Sequence, residues 1–308
     1  MAGKLEGSDW IWSDGKFIQW ENATVHLLSL AVQFGSSLFE GIRCYETSAG
    51  PSIFRLDAHI RRLIHSCKIY RMEPKHTHKT IAEACSETVR KNDLGDCYIR
   101  PMVLRGYGAA GLDPTASPIE TAIAAWPWGA YLGEDALKFG VDVCVSTWNR
   151  PAPNTFPSHA KAAGHYNNAQ LIKMEAITNG YAEGIVLGTH GRVSEGGGQN
   201  LFLIQDGVVV TPELDGTLLQ GITRDAILTL ADDMGLESRE QPIPREDLYT
   251  ADELFFTGTA SEVTPIRSVD RITIGDGKMG PMTAQIQERF LAIVRGEAED
   301  PHGWRTLV

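Results

Sequence analysis

A single lysine among small residues is the first feature of this sequence that can carry chemistry. Lys161 stands in the stretch 154–166, NTFPSHAKAAGHY, with alanines on both sides and a tyrosine hydroxyl at Tyr166. Small neighbours leave space beside the amine for a flat ring. Desolvation lowers the pKa of a lysine and leaves a neutral nucleophile, so the stretch is a candidate for Schiff-base chemistry. A solvated loop lysine is the alternative interpretation of this stretch by itself.

A carboxylate opens a second unusual stretch, 194–200, SEGGGQN. Glycines let a backbone approach a ligand closely, and a fixed carboxylate at Glu195 can hold a ring nitrogen in its protonated form. The alternative is a tight turn with a solvated glutamate.

Two further stretches offer hydrogen-bond donors to an anion. In 220–225, QGITRD, we expect Thr223 to cap a helix whose free amides and dipole attract a group such as phosphate. Residues 257–262, TGTASE, add hydroxyls and amides after a strand end. Plain capping and a plain turn are the alternatives.

The motif G-x-G-x-x-G occurs at 106–111 and brings a nicotinamide-dependent oxidoreductase into consideration. A dinucleotide-binding motif must run into a helix, whereas the following residues 112–118, LDPTASP, carry two prolines that prevent one. We therefore predict a surface or pocket loop. A non-enzymatic ligand-binding protein is a further alternative.

The first elements that position these stretches are a hairpin, two strands and a helix. Asp14-Gly15 predicts the hairpin turn, and the strands are expected at 38–45 and 52–55. Asp57 is expected to cap the helix, from whose side Arg62 projects.

The stretch 129–135, GAYLGED, is the best candidate for a linker, because the order of strands and helices changes there. We predict a domain at 1–130, a linker at 131–137 and a second domain at 138–308.

Composition excludes several classes of protein. A formal charge of −11 over 308 residues argues against a nucleic-acid partner, which needs clustered basic residues. The five cysteines are scattered and never spaced as C-x-x-C, so we expect neither disulfides nor a metal site, and a reducing compartment. Neither a signal peptide nor an apolar run of membrane-spanning length is evident, so we expect a cytoplasmic protein without a membrane partner.

Taken together, these stretches resemble the pyridoxal-phosphate enzymes of fold type IV, and most closely the branched-chain amino acid aminotransferases. The resemblance spans nearly the whole chain. Its motifs stand in family order at 39–43 (FEGIR), 98–101 (YIRP), 128–133 (WGAYLG), 160–162 (AKA), 194–196 (SEG), 221–224 (GITR) and 258–260 (GTA). The implied fold is α+β in two domains, a small N-terminal α/β sandwich and a larger C-terminal pseudo-barrel, with pyridoxal 5′-phosphate between them.

The resemblance implies a role for each cofactor residue. Lys161 is expected to form the Schiff base and to move a proton between substrate and cofactor. Tyr166 is expected to bond the phenolate oxygen, and Glu195 to pair with the ring nitrogen. The phosphate is expected to contact Arg62, the amides of Ile222 and Thr223, and the hydroxyl of Thr259.

The implied reaction is ping-pong transfer of an amino group from L-leucine, L-isoleucine or L-valine to 2-oxoglutarate. Arg100 is expected to pair with the distal carboxylate of glutamate. The α-carboxylate is expected at the turn of Thr259 and Ala260. The other residues expected to bind substrate are Phe34, Phe39, Arg43, Tyr98, Leu104, Trp128 and Tyr131.

Two positions depart from the pattern of the family. Phe34 stands where the branched-chain enzymes usually carry a tyrosine, which leaves a fold-type IV transaminase for R-amines or D-amino acids as the alternative. Gln199 replaces a common glutamate. The resemblance also implies a homodimer or a higher homo-oligomer.

Overall fold

The computed structural model describes residue 5, residues 7–129 and residues 131–308. Ala130, the last residue of the first predicted domain, lies outside the described residues, as do residues 1–4 and 6. The chain separates into two compact units. The first takes in Met1–Gly129, Ala160–Gly164 and Ile293–Val308, and the second takes in Ala130–His159 and His165–Ala292.

In chain order the strands are β1 (Trp10–Ser13), β2 (Lys16–Gln19), β3 (Ser37–Phe39), β4 (Ile42–Tyr45), β5 (Ser52–Phe54), β6 (Cys97–Arg105), β7 (Ile119–Pro127), β8 (Val141–Val145), β9 (Glu183–Leu187), β10 (Val193–Gly196), β11 (Asn200–Gln205), β12 (Val208–Pro212), β13 (Ser238–Gln241), β14 (Glu253–Gly258), β15 (Glu262–Val269), β16 (Ile272–Thr273) and β17 (Arg305–Leu307). The α-helices are α1 (Leu30–Phe34), α2 (Leu56–Ile69), α3 (His78–Lys91), α4 (Glu134–Phe139), α5 (Tyr166–Thr178), α6 (Ile222–Asp233), α7 (Asp247–Thr250) and α8 (Pro281–Val294). Short 3₁₀ turns occur at Trp20–Asn22 and Ala163–His165.

The first unit is built on an antiparallel sheet in the order β17-β5-β4-β6-β7-β1-β2, with β3 paired to β6. The predicted hairpin of β1 and β2 is confirmed. Its turn residues Asp14 and Gly15 both have positive φ, 44° and 94°, as the tight turn of a two-residue hairpin requires. Helices α2 and α3 pack against each other, and α3 also contacts β1, β6 and β7. The apolar core of this unit includes Leu38, Ile60 and Ala162.

The second unit is built on a mixed sheet in the order β10-β9-β8-β15-β14-β11-β12-β13, with β16 paired to β15. Parallel pairing joins β8 to β9, β8 to β15 and β12 to β13. Strand β10 also approaches β11 and β12, so the sheet curves back on itself as a partly closed barrel. Helix α5 packs on β9, α4 on β15, and α6 on β13 and β14.

The continuous strand predicted at 38–45 is wrong. Strand β3 ends at Phe39 and β4 begins at Ile42, so Glu40 and Gly41 lie between the two strands, and the Glu40 N–H still donates to the Pro101 carbonyl of β6 at 2.9 Å. A Cβ at Gly41 would lie 1.8 Å from the hydroxyl of Tyr98, so only glycine fits this close approach. Glu40, which stands in this break, is completely buried.

Both predicted helix caps are wrong as well. Helix α2 begins at Leu56, after Arg55 in the left-handed region, and Asp57 lies in the first turn, where its charge favours the helix dipole. Helix α6 begins at Ile222 with Gly221 as its N-cap, so Thr223 is the second helical residue. In the stretch predicted as a linker, α4 begins at Glu134. Residues 106–118 form a loop between β6 and β7, as predicted.

Candidate active site

Lys161 is fixed by its backbone within the first unit. Its N–H donates to Ser66 Oγ at 3.1 Å, and its carbonyl accepts from the N–H of Phe39 at 3.1 Å. Ala162 forms a β-bridge with Leu38, and both flanking alanines are buried. The Nζ atom lies 5.1 Å from the centroid of the Phe39 ring. The small neighbours therefore serve as anchors in the core, and the amine stands against an aromatic side chain.

Arg62, the predicted phosphate ligand, is held by a carboxylate that sequence reasoning missed. Its Nε donates to Glu40 Oε1 at 2.6 Å and its Nη2 to Oε2 at 2.8 Å. The Nδ1 of His59 lies 2.7 Å from the same Oε2, and both Glu40 and His59 are completely buried. This geometry fixes the plane of the Arg62 guanidinium.

Burial by itself raises the pKa of Glu40, but the charge of Arg62 and the contacts from Arg62 and His59 outweigh it and hold that pKa well below its ordinary value. Burial lowers the pKa of His59, only partly opposed by Glu40. We therefore assign Glu40 as an anion and His59 as a neutral imidazole that donates from Nδ1.

A guanidinium within an aromatic cluster occupies another part of the first unit. The Cζ of Arg100 lies 4.8 Å from the ring centroid of Phe39, 5.4 Å from that of Tyr98 and 5.6 Å from that of Trp126. Trp128 packs on Tyr98 at 5.2 Å. The structure thus brings together four predicted substrate residues, Phe39, Tyr98, Arg100 and Trp128, and adds Trp126, which sequence reasoning missed.

Three further predicted substrate residues belong to the first unit. Arg43 is buried on β4, opposite Tyr98 in register, with its guanidinium 5.3 Å from the Tyr45 ring. Leu104 is buried on β6. Phe34 ends α1, and its side chain is 54% exposed.

In the second unit, Glu195 is buried on β10 beside an arginine that no sequence pattern marked. The Nε of Arg150 lies 3.0 Å from Glu195 Oε1 as an ion pair, with its N–H directed off the line to that oxygen. Arg150 also donates to the carbonyls of Gly196 at 2.8 Å and Gly197 at 2.9 Å, and to Asn168 Oδ1 at 2.9 Å. These carbonyls lie 46 and 47 residues along the chain, which explains why local spacing did not reveal the contact.

The other oxygen of Glu195 is held from the far side. Glu195 Oε2 accepts from the side-chain amide of Asn200 and from the N–H of Leu219, both at 3.3 Å. Asn200 also donates to the carbonyl of Leu219 at 3.0 Å. A Cβ at Gly221 would lie 1.8 Å from Asn200 Oδ1, so the glycine lets this amide reach its partners. Asn200 therefore links the carboxylate to the segment that leads into α6.

The predicted phosphate donors of the second unit stand at the start of α6 and in a strand-connecting turn. Ile222 and Thr223 are buried in the first turn of α6, where backbone amides have no partner within the helix. Thr259 and Ala260 lie in the turn between β14 and β15. Beside them Thr257 Oγ1 and Ser261 Oγ are buried without a hydrogen-bond partner among the residues described.

The two predicted tyrosines of the second unit flank different elements. Tyr166 is the first residue of α5, and Tyr131 is partly exposed with Lys173 Nζ 5.5 Å from its ring centroid. His165, immediately before Tyr166, has its pKa lowered to about 4, mainly by burial and further by the charge of Arg150. His165 is therefore neutral near pH 7.

Comparisons with known proteins identify the family. The family model of amino-transferase class IV matches residues 37–269. The branched-chain-amino-acid aminotransferase of Escherichia coli (strain K12) is 49% identical over 298 residues, which cover 96% of each chain. The chain belongs to the class IV aminotransferases. It is an aminotransferase whose cofactor is pyridoxal 5′-phosphate, so the predicted enzyme class and cofactor are confirmed.

Solved structures confirm the fold. The crystal structure of the E. coli branched-chain amino acid aminotransferase is similar with a TM-score of 0.95 at 48% identity, covering 97% of this chain and 98% of that one. The branched-chain amino acid aminotransferase from Thermobaculum terrenum, in its PLP form, gives a TM-score of 0.90 at 35% identity, covering 98% of both chains. The predicted α+β fold of type IV is therefore confirmed. Within the described part of the chain, every helix is too short or too polar to cross a membrane.

Proposed function

We propose that this chain transfers the amino group of L-leucine, L-isoleucine or L-valine to 2-oxoglutarate in a ping-pong reaction. The names of its relatives support the branched-chain substrates. The observation that carries the proposal for both substrates is the position of Arg100 against the faces of Phe39, Tyr98 and Trp126. An aromatic wall accepts an aliphatic side chain, and a guanidinium beside it accepts a carboxylate.

Donors that lack acceptors support this interpretation of the cluster. Arg100 Nε and Trp126 Nε1 are buried, and neither has a hydrogen-bond partner among the described residues. Buried polar groups without partners are costly, so an acidic substrate that supplies acceptors would be favoured there. One pocket can in this way serve leucine in one half-reaction and glutamate in the other.

The residues present fit pyridoxal phosphate by the chemistry of their donors. The buried hydroxyls of Thr257 and Ser261, next to Thr259, lack partners among the described residues and suit a phosphate. Arg62 adds a guanidinium with a fixed plane, and the first-turn amides of Ile222 and Thr223 add a helix N-terminus. We assign Arg62, Ile222, Thr223 and Thr259 as the phosphate ligands.

The bound cofactor supplies an electron sink for the bond that breaks at the substrate α-carbon. Lys161 would supply the amine for covalent attachment and would then move the proton from the substrate α-carbon to C4′ of the cofactor. Glu195, paired with Arg150, would hold a proton at the ring nitrogen, and Tyr166 would donate to the phenolate oxygen. We assign the α-carboxylate of the substrate to Thr259 and Ala260.

The proposed substrate pocket includes further residues. Trp128 and Tyr98 pack together as part of its wall, and Gly41 makes room for the Tyr98 hydroxyl. We assign the other substrate contacts to Phe34, Arg43 and Tyr131.

A second copy of the chain and a cytoplasmic location complete the proposal. Leu27, Val32, Phe34 and Leu112 leave large apolar side chains exposed on a single chain, which supports a homodimer or a higher homo-oligomer. All five cysteines are buried free thiols, which supports a reducing compartment.

Amine specificity separates this proposal from its nearest alternative. We would add L-leucine, D-leucine or R-1-phenylethylamine to the holoenzyme without an oxo acid and record loss of the visible cofactor band. Loss with L-leucine, followed by formation of glutamate when 2-oxoglutarate is added, is the expected result. Preferential reaction of the R-amine or of D-leucine would establish the alternative, in which Phe34 marks a changed specificity.

The lysine assignment is tested separately by borohydride reduction and peptide mapping. The pyridoxyl group is expected on Lys161, and K161A is expected to lose transamination while it keeps its thermal stability. The control is K79A, which removes an exposed lysine of α3. A pyridoxyl group on another lysine, or full activity of K161A, would refute the assignment.

A further inference from the structure

Glu40 is a completely buried carboxylate that the proposed chemistry does not use. It lies between β3 and β4 and is held by Arg62 Nε and Nη2, by His59 Nδ1 at 2.7 Å, and by the N–H of Gly41 at 3.3 Å. Taking a carboxylate out of water is expensive unless hydrogen bonds replace its hydration. A carboxylate with this many donors at such a position indicates a specific structural task.

One face of helix α2 carries three of the residues involved. His59, Arg62 and Ser66 are spaced by three and four residues, which places them on the same side of a helix. Ser66 Oγ donates to the Arg62 carbonyl at 2.9 Å and accepts from the Lys161 N–H at 3.1 Å. The helix therefore holds the Arg62 side chain and the Lys161 backbone at the same time.

The contacts close into a ring. The Lys161 carbonyl accepts a hydrogen bond from the Phe39 N–H, and Phe39 is followed in the chain by Glu40. Glu40 binds the Arg62 guanidinium. The ring is completed by Ser66, whose hydroxyl is hydrogen-bonded to the Arg62 carbonyl and to the Lys161 N–H. Because every link is a hydrogen bond, an ion pair or a covalent bond, Arg62 cannot turn without breaking a contact of Glu40.

Glu40 and Arg62 are the oppositely charged partners in this ring. Glu40 is ionised and Arg62 is its cationic partner, while burial lowers the pKa of His59 and keeps it neutral. His59 Nε2 is buried and makes no hydrogen bond with any residue the structure describes, so Nδ1 is its donor to Glu40. The Glu40–Arg62 pair therefore presents a ligand with a guanidinium of fixed direction, and not with an unpaired arginine that can move.

We propose that Glu40 is a positioning residue that fixes the direction of the Arg62 guanidinium relative to the Lys161 backbone, and so sets the phosphate contact of the cofactor. The inference rests on the proposed role of Arg62. Glu40 acts through Arg62 and makes no contact with the cofactor itself. Loss of Glu40 should therefore weaken only the part of cofactor binding that depends on the phosphate.

The test compares two ligands on apoenzyme, pyridoxal 5′-phosphate and pyridoxal, which lacks the phosphate. Dissociation constants are measured by equilibrium dialysis for the original chain, E40Q, R62A and the double variant E40Q/R62A. Because a charge-assisted hydrogen bond is lost or misdirected, E40Q is expected to weaken pyridoxal-phosphate binding about tenfold or more and to leave pyridoxal binding nearly unchanged. The double variant is expected to match R62A, because Glu40 acts only through the arginine.

The control is D57N, which changes an exposed carboxylate on the same helix, paired with Arg61, and should alter neither constant. A general structural role for Glu40 would weaken both ligands equally and would overturn the proposal. Unchanged binding of both ligands by E40Q, or additive effects in the double variant, would overturn it as well. If R62A itself binds both ligands normally, the phosphate assignment under the proposed function has failed instead.

A second variant covers the case in which E40Q does not fold. E40D keeps the charge and shortens the side chain by one methylene, so the carboxylate cannot meet Arg62 and His59 at the present distances. It is expected to reduce the ratio of pyridoxal-phosphate affinity to pyridoxal affinity, and an unchanged ratio would refute the role of Glu40. Melting curves of the apoenzymes establish which variants are folded before binding is measured.

Discussion

Arg150 Nε lies 3.0 Å from Glu195 Oε1, and the same guanidinium binds the carbonyls of Gly196 and Gly197. The cation thus holds both the carboxylate and the glycine-rich segment that follows it. This pairing places a cation directly against the carboxylate that is proposed to pair with a protonated ring nitrogen. It also means that the carboxylate is oriented by the protein before any ligand approaches it.

Replacing Arg150 should destabilise the fold strongly. R150M leaves Glu195 buried without its cation, and breaking a buried ion pair costs about 3–5 kcal/mol of unfolding free energy. The measurement is urea denaturation of apoenzyme at one protein concentration. The matched control is R239M, which breaks the exposed pair with Glu237 and should cost about 0–1 kcal/mol. Equal losses in the two variants would contradict a special role for Arg150.

Gly221 should tolerate no side chain. In G221A the new Cβ would displace Asn200, which contacts both Glu195 and Leu219, and we expect a loss of about 1–3 kcal/mol of stability together with weaker cofactor binding. Thermal melting and cofactor titration measure the two effects. G198A is the control, because a Cβ at Gly198 meets no atom within 4 Å. If both variants behave alike, the close approach to Asn200 is not the reason for the glycine.

Arg100 should distinguish acidic from apolar substrates. R100M removes the guanidinium but leaves the aromatic wall, so KM for 2-oxoglutarate should rise about 10- to 100-fold, as expected for loss of a charged hydrogen bond. KM for L-leucine should change little. Steady-state kinetics with each substrate varied separately give the answer, with the exposed Arg90 of α3 as the R90M control. A parallel rise for both substrates would place Arg100 outside distal-carboxylate recognition.

His165 should make the protein less stable in acid. Its pKa of about 4 in the folded protein lies below the ordinary 6.5, so the unfolded chain takes up the proton first as the pH falls. The contribution of His165 is fully present above pH 6.5, declines between about pH 6.5 and 4, and is lost below that range.

The measurement is the melting temperature of the apoenzyme at pH 7 and pH 5. H165N should show a smaller fall between these two values than the original chain, whereas H190N, which changes an exposed histidine, should keep the original fall. An identical fall in H165N would show that this histidine does not contribute.

Local patterns predicted the elements whose geometry is fixed by neighbouring residues. The hairpin at Asp14-Gly15 follows from backbone angles that these two residue types adopt readily. The caps at Asp57 and Thr223 failed because the helices begin at Leu56 and Ile222, one residue before each of them. Helix boundaries depend on contacts of the preceding turn, which residue type alone does not reveal.

The candidate site was predictable only where chemistry marks a residue. Lys161 and Glu195 stand out by their small or glycine neighbours. Arg150 and Glu40 do not, because each is defined by partners distant in sequence that only the folded chain brings together. The folded chain also groups Ala160–Gly164 with the first unit. A prediction of two continuous domains separated by a linker at 131–137 does not include this grouping.

The pairing of β17 with β5 has a consequence for biosynthesis. Residues 305–307 form the edge of a sheet whose other strands lie before residue 128, so the ribosome makes the whole second unit before that edge can form. Until then β5 lacks its neighbour on one side, and its unpaired backbone groups can recruit strands from other nascent chains. Every strand of the second sheet has been made by residue 273, whereas the first sheet is completed only after residues 305–307 have been made.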